Sequence, residues 1–317
     1  MNTLKVVIIT GITGQDGAYL SEFLLDKNYK VIGLVRNPDD YSKLEYLNIK
    51  EKIEFEVCDL SDLSSVINII KKYKPDEIYN FAAQSSVALS LKEPGQTLGF
   101  NIVSVINVLE AIRLVSNKTR LFQASSCEMF GKVDTLPASE STAFDPLSAY
   151  SVSKLSAHLI CLNYRRIYKI FVSCGILFNH ESYLRGDDFF IKKVIRQSLD
   201  IKYGKRDLLK VGNINIKKDL GYAPEYVKAM WLMLQHDCAD DFIVCSSKSI
   251  SLQDIIFYVF DRLGLDRNKI IIDKTLYRPC DINHTLGDNS KIKNTLGWKY
   301  DMDFYQVLDL LIEQELG

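Results

Sequence analysis

An α/β fold built on a doubly wound parallel sheet, with a smaller C-terminal α/β lobe, is predicted for this 317-residue chain by three observations. Residues 4–10 form an apolar strand pattern that runs into a glycine-rich turn and then a helical periodicity. The strand, turn and helix unit recurs as far as Phe178, which implies parallel strands with helices on both faces and ligands at their carboxyl ends. Past Phe178 the alternation becomes irregular, so 1–178 is read as a nucleotide-binding domain and 179–317 as the lobe that takes the substrate, with part of 210–245 packing back on the first.

The first turn reads Gly11-Ile12-Thr13-Gly14-Gln15-Asp16-Gly17 and is followed by Tyr19, Leu20, Phe23 and Leu24 at helical spacing. Glycines there let the backbone approach a pyrophosphate, and the helix amino terminus supplies oriented N–H groups with partial positive charge. A second strand, Lys30–Val35, ends at Arg36, where a protein selective for NAD usually carries an acid; an arginine suits the 2′-phosphate of NADP. The strand at 53–57 leads into Cys58-Asp59-Leu60, where Asp59 can accept from an adenine amino group or open the helix Leu63–Tyr73. The strand at 77–81 runs into Ala82-Ala83-Gln84-Ser85-Ser86, small residues that let a cofactor lie against the backbone. A helix is expected over 101–115, a strand at 121–124 and another at 170–178, and amphipathic helices at Ala223–Gln235 and near the carboxyl terminus.

The stretch 121–154 carries the chemistry. An apolar strand turns polar at Ser125-Ser126-Cys127-Glu128, and Tyr150 and Lys154 follow at a spacing that sets a phenol and an ammonium on one helix face. Free tyrosine, with a pKa near ~10, is a weak base at neutral pH, and a neighbouring lysine charge is expected to lower it. Ser126 would hold a substrate oxygen against the phenol while hydride leaves the same carbon.

Composition excludes other classes. Net charge is −1, from 39 basic and 40 acidic residues, so no global field draws nucleic acid or an anionic membrane. Seven cysteines occur without a C-x-x-C pair and no two histidines have ligand spacing, so neither a disulfide framework nor a metal is expected. No cleavable leader or membrane span is expected either, which makes the cytoplasm the default.

Together the glycine turn, Ser126 and the Tyr150/Lys154 pair resemble the extended short-chain dehydrogenase/reductase family, which has a Rossmann-type fold. Residues 122–131, the segment Gly175-Ile176-Leu177-Phe178-Asn179-His180-Glu181-Ser182, Lys218-Asp219, Arg278-Pro279 and Leu296-Gly297-Trp298-Lys299 resemble the GDP-mannose 4,6-dehydratases over nearly the whole chain. That resemblance implies catalytic places for Ser126, Glu128, Tyr150 and Lys154. It implies an NADP site at Gly11, Thr13, Gly14, Gln15, Asp16, Gly17, Arg36, Asp59, Leu60, Ala82, Gln84, Tyr150 and Lys154. A GDP-linked sugar would meet Ser85, Ser126, Asn179, Glu181, Lys193, Lys218 and Arg278, while His180 is given no acid–base role.

Several positions depart from the family pattern. Ser126, Cys127 and Phe130 stand where Thr, Ser and Tyr are usual, and Tyr183-Leu184 replaces Pro-Arg, which leaves a GDP-heptose or GDP-amino sugar open beside GDP-mannose. The segment Arg36-Asn37-Pro38-Asp39 lacks a second arginine and a serine-rich insertion associated with tetramers, so a homodimer is expected, with a homotetramer as the alternative. Competing functions are a 4-epimerase or 4-ketoreductase on the same fold and a cofactor-binding regulator without catalysis.

Overall fold

The computed structural model describes residues 4–37, 40–277 and 281–317. In its first part, β1 (Val6–Thr10), α1 (Gln15–Asp26), β2 (Lys30–Val35), α2 (Ser42–Tyr46), β3 (Glu54–Val57), α3 (Leu63–Tyr73), β4 (Glu77–Asn80), α4 (Val87–Lys92), α5 (Pro94–Val115), β5 (Arg120–Ser126), α6 (Ala149–Tyr168) and β6 (Val172–Leu177) alternate. Then come β7 (Asn179–Glu181), α7 (Phe190–Lys202), β8 (Leu209–Val211), β9 (Lys217–Tyr222), α8 (Ala223–Gln235), β10 (Asp241–Val244), β11 (Ser249–Ser251), α9 (Leu252–Leu263), β12 (Ile270–Ile272), α10 (Ser290–Leu296) and α11 (Phe304–Leu316).

The main sheet has the order β10-β6-β5-β4-β1-β2-β3, and every pair in it is parallel. Strand order reverses between β1 and β4, which opens a crevice at the carboxyl ends of these strands. Side chains along β1 alternate between the two faces as the pleat requires. Ile8 packs with Val66 and Ile69 of α3, Val105 and Leu109 of α5 and Ala157 of α6, whereas Val7 and Ile9 pack with Leu20 of α1 and Met230 of α8. The fold class read from the sequence is the one observed.

Two elements return from the second half of the chain. Helix α8 packs on α1, and β10 extends the sheet beyond β6 with Asp241 opposite Cys174 and Val244 opposite Leu177. The remaining lobe has its own core, in which Val194 and Ile195 of α7, Ile256 and Phe260 of α9, and Val307 and Leu308 of α11 meet. Between the two parts lies a small sheet, β11-β9-β7, with β7 and β9 parallel.

Helix α5 begins at Pro94, seven residues before the expected start, because Pro at the first helical position outweighs Gly95 and Gly99 in the first turns. It is long and apolar enough to cross a membrane, contrary to the expectation that no stretch approached that length. Its inward face carries polar groups with protein partners: Asn101 bonds the Gln84 backbone and the Ser153 hydroxyl, and Asn107 donates to the Leu60 carbonyl at 2.9 Å. It is a core helix of the sheet's outer layer.

The turn after β5 depends on one glycine. Gly131 has φ +59°, and a Cβ there would lie 1.6 Å from the Asp145 carbonyl oxygen. Gly131→Ala is expected to lower unfolding free energy by about 2–4 kcal/mol, from left-handed strain plus overpacking. Gly95→Ala, where a Cβ meets nothing within 4 Å, should stay within about 0.5 kcal/mol. Urea denaturation of the two variants checks the contrast.

Candidate active site

Strand β5 is hydrogen-bonded on both sides, with Asn80 opposite Gln123 and Leu177 opposite Ser126, so its carboxyl end is held in the middle of the crevice. There the chain tightens into a 3-10 turn, Cys127–Met129, capped by Ser126, whose Oγ accepts from Glu128 N at 3.2 Å. Helix α6 starts beside it through a capping box between Ser148 and Ser151, which fixes Tyr150 in its first turn.

Tyr150 and Lys154 are both buried. Burial pushes the phenol well up, the Ser126 hydroxyl pulls it down and Glu128 raises it further. Lys154 is not what lowers the phenol here, contrary to the sequence-based expectation: Nζ donates to the Ala124 carbonyl at 2.9 Å and lies 5.9 Å from the Tyr150 ring centroid. Burial brings the Lys154 ammonium down to about 8, against the attraction of Asp16.

Glu128 faces Lys218 of β9 at 3.8 Å, a pair only partly open to solvent. The Cys127 thiol reaches the Asn179 side-chain oxygen at 4.0 Å, and burial raises that thiol's pKa. Residues from β5 and the turn after it, from α6, β7 and β9 thus come together, and bring a hydroxyl, a phenol, a carboxylate and an ammonium into one neighbourhood.

A family model describing GDP-mannose 4,6 dehydratases matches residues 8–311. Among similar proteins, GDP-mannose 4,6 dehydratase 2 of Arabidopsis thaliana is 39% identical over 98% of this chain and 87% of that protein. The GDP-mannose 4,6-dehydratase of Sinorhizobium fredii (strain HH103) is 33% identical over 100% and 98%. The chain belongs to the GDP-mannose 4,6-dehydratase family. In fold it resembles RMD from Pseudomonas aeruginosa complexed with NADPH, with a TM-score of 0.83 at 23% identity over 98% of each chain. It also resembles the dTDP-glucose 4,6-dehydratase DesIV of Streptomyces venezuelae, with a TM-score of 0.87 at 20% identity over 97% and 96%. Membership makes the chain a nucleotide-sugar dehydratase, a hydro-lyase of Rossmann-type fold.

The glycine turn expected at the cofactor follows β1 and lies against Ala82, just past β4. Gly11 has φ +66° and a Cβ on it would stand 2.9 Å from Ala82 N, while one on Gly17 would stand 2.5 Å from the Gly11 carbonyl oxygen. Gly14 N closes the turn on Gly11 O at 2.9 Å, with Thr13 at its tip and α1 beginning at Gln15. A group with a flat, anionic contact surface fits that cradle, because no side chain can occupy it. Arg36 is exposed just past β2. Asp59 accepts from Ser61 N at 2.8 Å, and the cap of α3 is Asp62 instead. The Leu60 carbonyl is taken by Asn107, and the Gln84 side-chain amide donates to Thr97 Oγ1 and to the Ser86 carbonyl.

On the substrate side, Ser85 is exposed after β4, Lys193 is half-buried in the first turn of α7, and Arg278 lies outside the described residues. Glu181 is buried, with burial raising its pKa and Arg185 opposing that rise. Its Oε2 stands 3.7 Å from Arg185 Nε, and neither atom has a hydrogen-bond partner.

Sequence reasoning did not assign Arg185, whose guanidinium lies 3.6 Å from the Phe189 ring centroid and lowers the Tyr150 phenol. It also left His180 as a loop residue. His180 Nδ1 lies 2.7 Å from the Phe178 carbonyl and Nε2 2.9 Å from Asp16 Oδ1, two acceptors, so both ring nitrogens carry protons. Asp16 is 164 positions away in the chain, and nothing local in the sequence announces that pair.

The ion pair has a pH signature. His180 holds Asp16 down at about 2, so Asp16 contributes stability above its unfolded value near ~4 that is lost as pH falls toward 2. Asp16 attracts the His180 proton, so that contribution is full below ~6.5 and is lost as pH rises through the raised folded value. Asp16→Asn should cost about 2 kcal/mol near pH 6, shrinking on both sides, as measured by denaturant titration across pH.

Proposed function

We propose that this enzyme converts GDP-mannose to its 4-keto-6-deoxy derivative with NADP held at the glycine turn. The convergence of Ser126, Glu128 and Tyr150 at the end of β5 carries this. Held at the glycine turn by Gly11, Gly14 and Gly17, NADP would supply the acceptor for the C4 hydride and, in its reduced form, the source of the hydride for C6. Tyr150, assisted by Ser126, takes the proton of the sugar 4-hydroxyl. The 4-ketone acidifies the hydrogen at C5; Glu128 removes it and passes the proton to the departing C6 hydroxyl, which leaves as water, and Glu128, reprotonated from solvent, gives a proton to C5 as hydride reaches C6. Lys154 anchors the strand end through Ala124. Asn179, Glu181, Lys193 and Lys218 would meet the sugar diphosphate, where cations oppose its charge.

Selection of NADP rests on Arg36 at the end of β2, a fork that pairs with a phosphate. Residues 1–178 with α8 and β10 form the cofactor part, and the lobe around α7, α9 and α11 carries the nucleotide sugar. We assign the enzyme to the cytoplasm.

The partner is a second copy of this chain. Val103 and Leu114 on α5 and Val152, Leu159 and Ile167 on α6 leave a large apolar face exposed on two packed helices, and such a face matches its own rotated copy. Leu159→Arg should convert a dimer to the 36.2 kDa monomer by light scattering after gel filtration. A wild type that is monomeric at micromolar concentration removes the dimer.

Glu128→Gln tests the chemistry. Incubated with GDP-mannose and catalytic NADP⁺ in deuterium oxide, the wild type should yield 4-keto-6-deoxy product labelled at C5, and the variant should lose both by at least about 100-fold with its melting temperature retained. Labelling and product at wild-type rates in the variant would sink the assignment.

A further inference from the structure

Residues 182–189 form the loop from β7 to α7, and Arg185 lies in the middle of it. The Arg185 guanidinium reaches toward Glu181, toward the Phe189 ring and, through its charge, the Tyr150 phenol. None of these contacts is a hydrogen bond: Glu181 Oε2 is 3.7 Å away, and Arg185 Nε has no hydrogen-bond partner among the described residues although it is buried. A side chain held so loosely takes its position from the backbone that carries it. Whatever fixes that backbone therefore fixes the charge near the phenol.

The start of the loop is tied to the cofactor part. Ser182 Oγ donates to Gln15 Oε1 at 2.7 Å, and Leu184 is buried in the core that contains α1 and α8. Tyr183 stands between the two parts, packed against both cores, with its ring stacked on Tyr46 of α2 at 4.6 Å. The other support comes from the lobe. Lys192 of α7 donates to the Tyr183 carbonyl at 2.6 Å, its ammonium lies 3.9 Å from the Tyr183 ring centroid, and it pairs with Glu315 of α11. The second oxygen of Glu315 takes Arg196 Nε at 3.1 Å, and Arg196 reaches on to Asp187. One carboxylate thus holds two cations of α7, and those cations hold the loop on either side of Arg185, at Tyr183 and Asp187.

We propose that Glu315 is a positioning residue for the reaction: through Lys192 and Arg196 it holds residues 183–187, and so sets where Arg185 stands relative to Tyr150. Its two arms differ in weight. Lys192 and Glu315 are buried, so each charge needs the other, whereas Arg196 and Asp187 are open to solvent and their attraction is screened. Tyr183 is one of the positions at which the chain departs from the family pattern; a proline there would give Lys192 a carbonyl but no aromatic ring. A guanidinium near the phenol keeps it ready as a base, which rests on the reading of Tyr150 as the group that takes the 4-hydroxyl proton. That charge acts on a group of the enzyme and not on the sugar, so its displacement lowers kcat and leaves KM for GDP-mannose nearly unchanged.

Assayed with GDP-mannose and NADP⁺, Glu315→Gln should lose about tenfold or more in kcat with KM for GDP-mannose within about threefold, and the amides of 182–189 should exchange with deuterium at least about tenfold faster than in the wild type. Asp309→Asn, which breaks the pair of α11 with Arg262, should leave kcat and loop exchange within about twofold. Lys192→Met combined with Glu315→Leu replaces the buried pair by apolar groups, so the melting temperature should stay within about 3 °C of the wild type while kcat remains low and the loop still exchanges fast. A merely structural pair would return kcat together with the melting temperature; that result overturns the positioning role, as does Glu315→Gln with wild-type kcat. If Glu315→Gln does not fold, the double variant decides by the same readings. If the wild type does not turn over GDP-mannose, the substrate reading fails and exchange decides alone: faster exchange of 182–189 in the variants supports the anchor, and unchanged exchange overturns it.

Discussion

The position of Ser126 depends on parallel pairing of β5 with both of its neighbours. An edge strand could twist or fray at its end, but six registered positions against β6 and four against β4 leave none of that freedom. The capped turn at Cys127–Met129 then carries Glu128 off this fixed point, and Gly131 lets the chain fold back against Asp145. The phenol of Tyr150 is set by a second rigid element, since α6 packs along α5 and the capping box holds its first turn. A hydroxyl, a phenol and a carboxylate thus owe their separation to sheet register and one helix start, which is the placement on rigid elements that precise chemistry requires.

The lobe reaches this point through β9. Asp219, buried, accepts from Ser246 N at 2.9 Å, Ser246 Oγ at 2.6 Å and Gly287 N at 3.1 Å, and so ties β9 to the segments after β10 and before α10. Burial brings its carboxyl up to about 6 even with these donors around it. A Cβ on Gly287 would stand 2.8 Å from the Phe178 ring and 2.7 Å from Cys245 Sγ, so only glycine brings that N–H close enough. The next residue back, Lys218, points from the same strand at Glu128. The hub below thereby holds the ammonium above.

How much of this was legible follows from how local each signal is. Leu63–Tyr73 and Lys30–Val35 match their observed bounds because an Asp62 cap and a continuous apolar run lie within the segments themselves. Strand β10 was not read as such, for four residues from Asp241 to Val244 carry little pattern and acquire meaning only beside β6, nearly seventy positions earlier. Helix α7 escaped because Lys192, Lys193 and Arg196 interrupt its apolar positions; yet Lys192 is buried, donating to the Tyr183 carbonyl and pairing with Glu315 near the end of α11. Tyr150, Lys154, Ser126 and Glu128 fall within one strand-to-helix unit and could be read together. Arg185, the Asp16–His180 pair and the Glu128–Lys218 pair join distant segments, and no window of sequence contains both partners.

The Glu128–Lys218 geometry bears on the order of events at the sugar. At 3.8 Å the two groups attract, but this is beyond a hydrogen bond, so the carboxylate keeps lone pairs free for a hydrogen on carbon. A contact at 2.8 Å would have committed one of those oxygens to the ammonium, as Lys154 is committed to Ala124. Partial exposure of both side chains weakens their attraction through solvent screening, and an arriving diphosphate competes for Lys218 as a stronger anion. Binding of substrate would then draw the ammonium toward the phosphates and release Glu128 toward the ring.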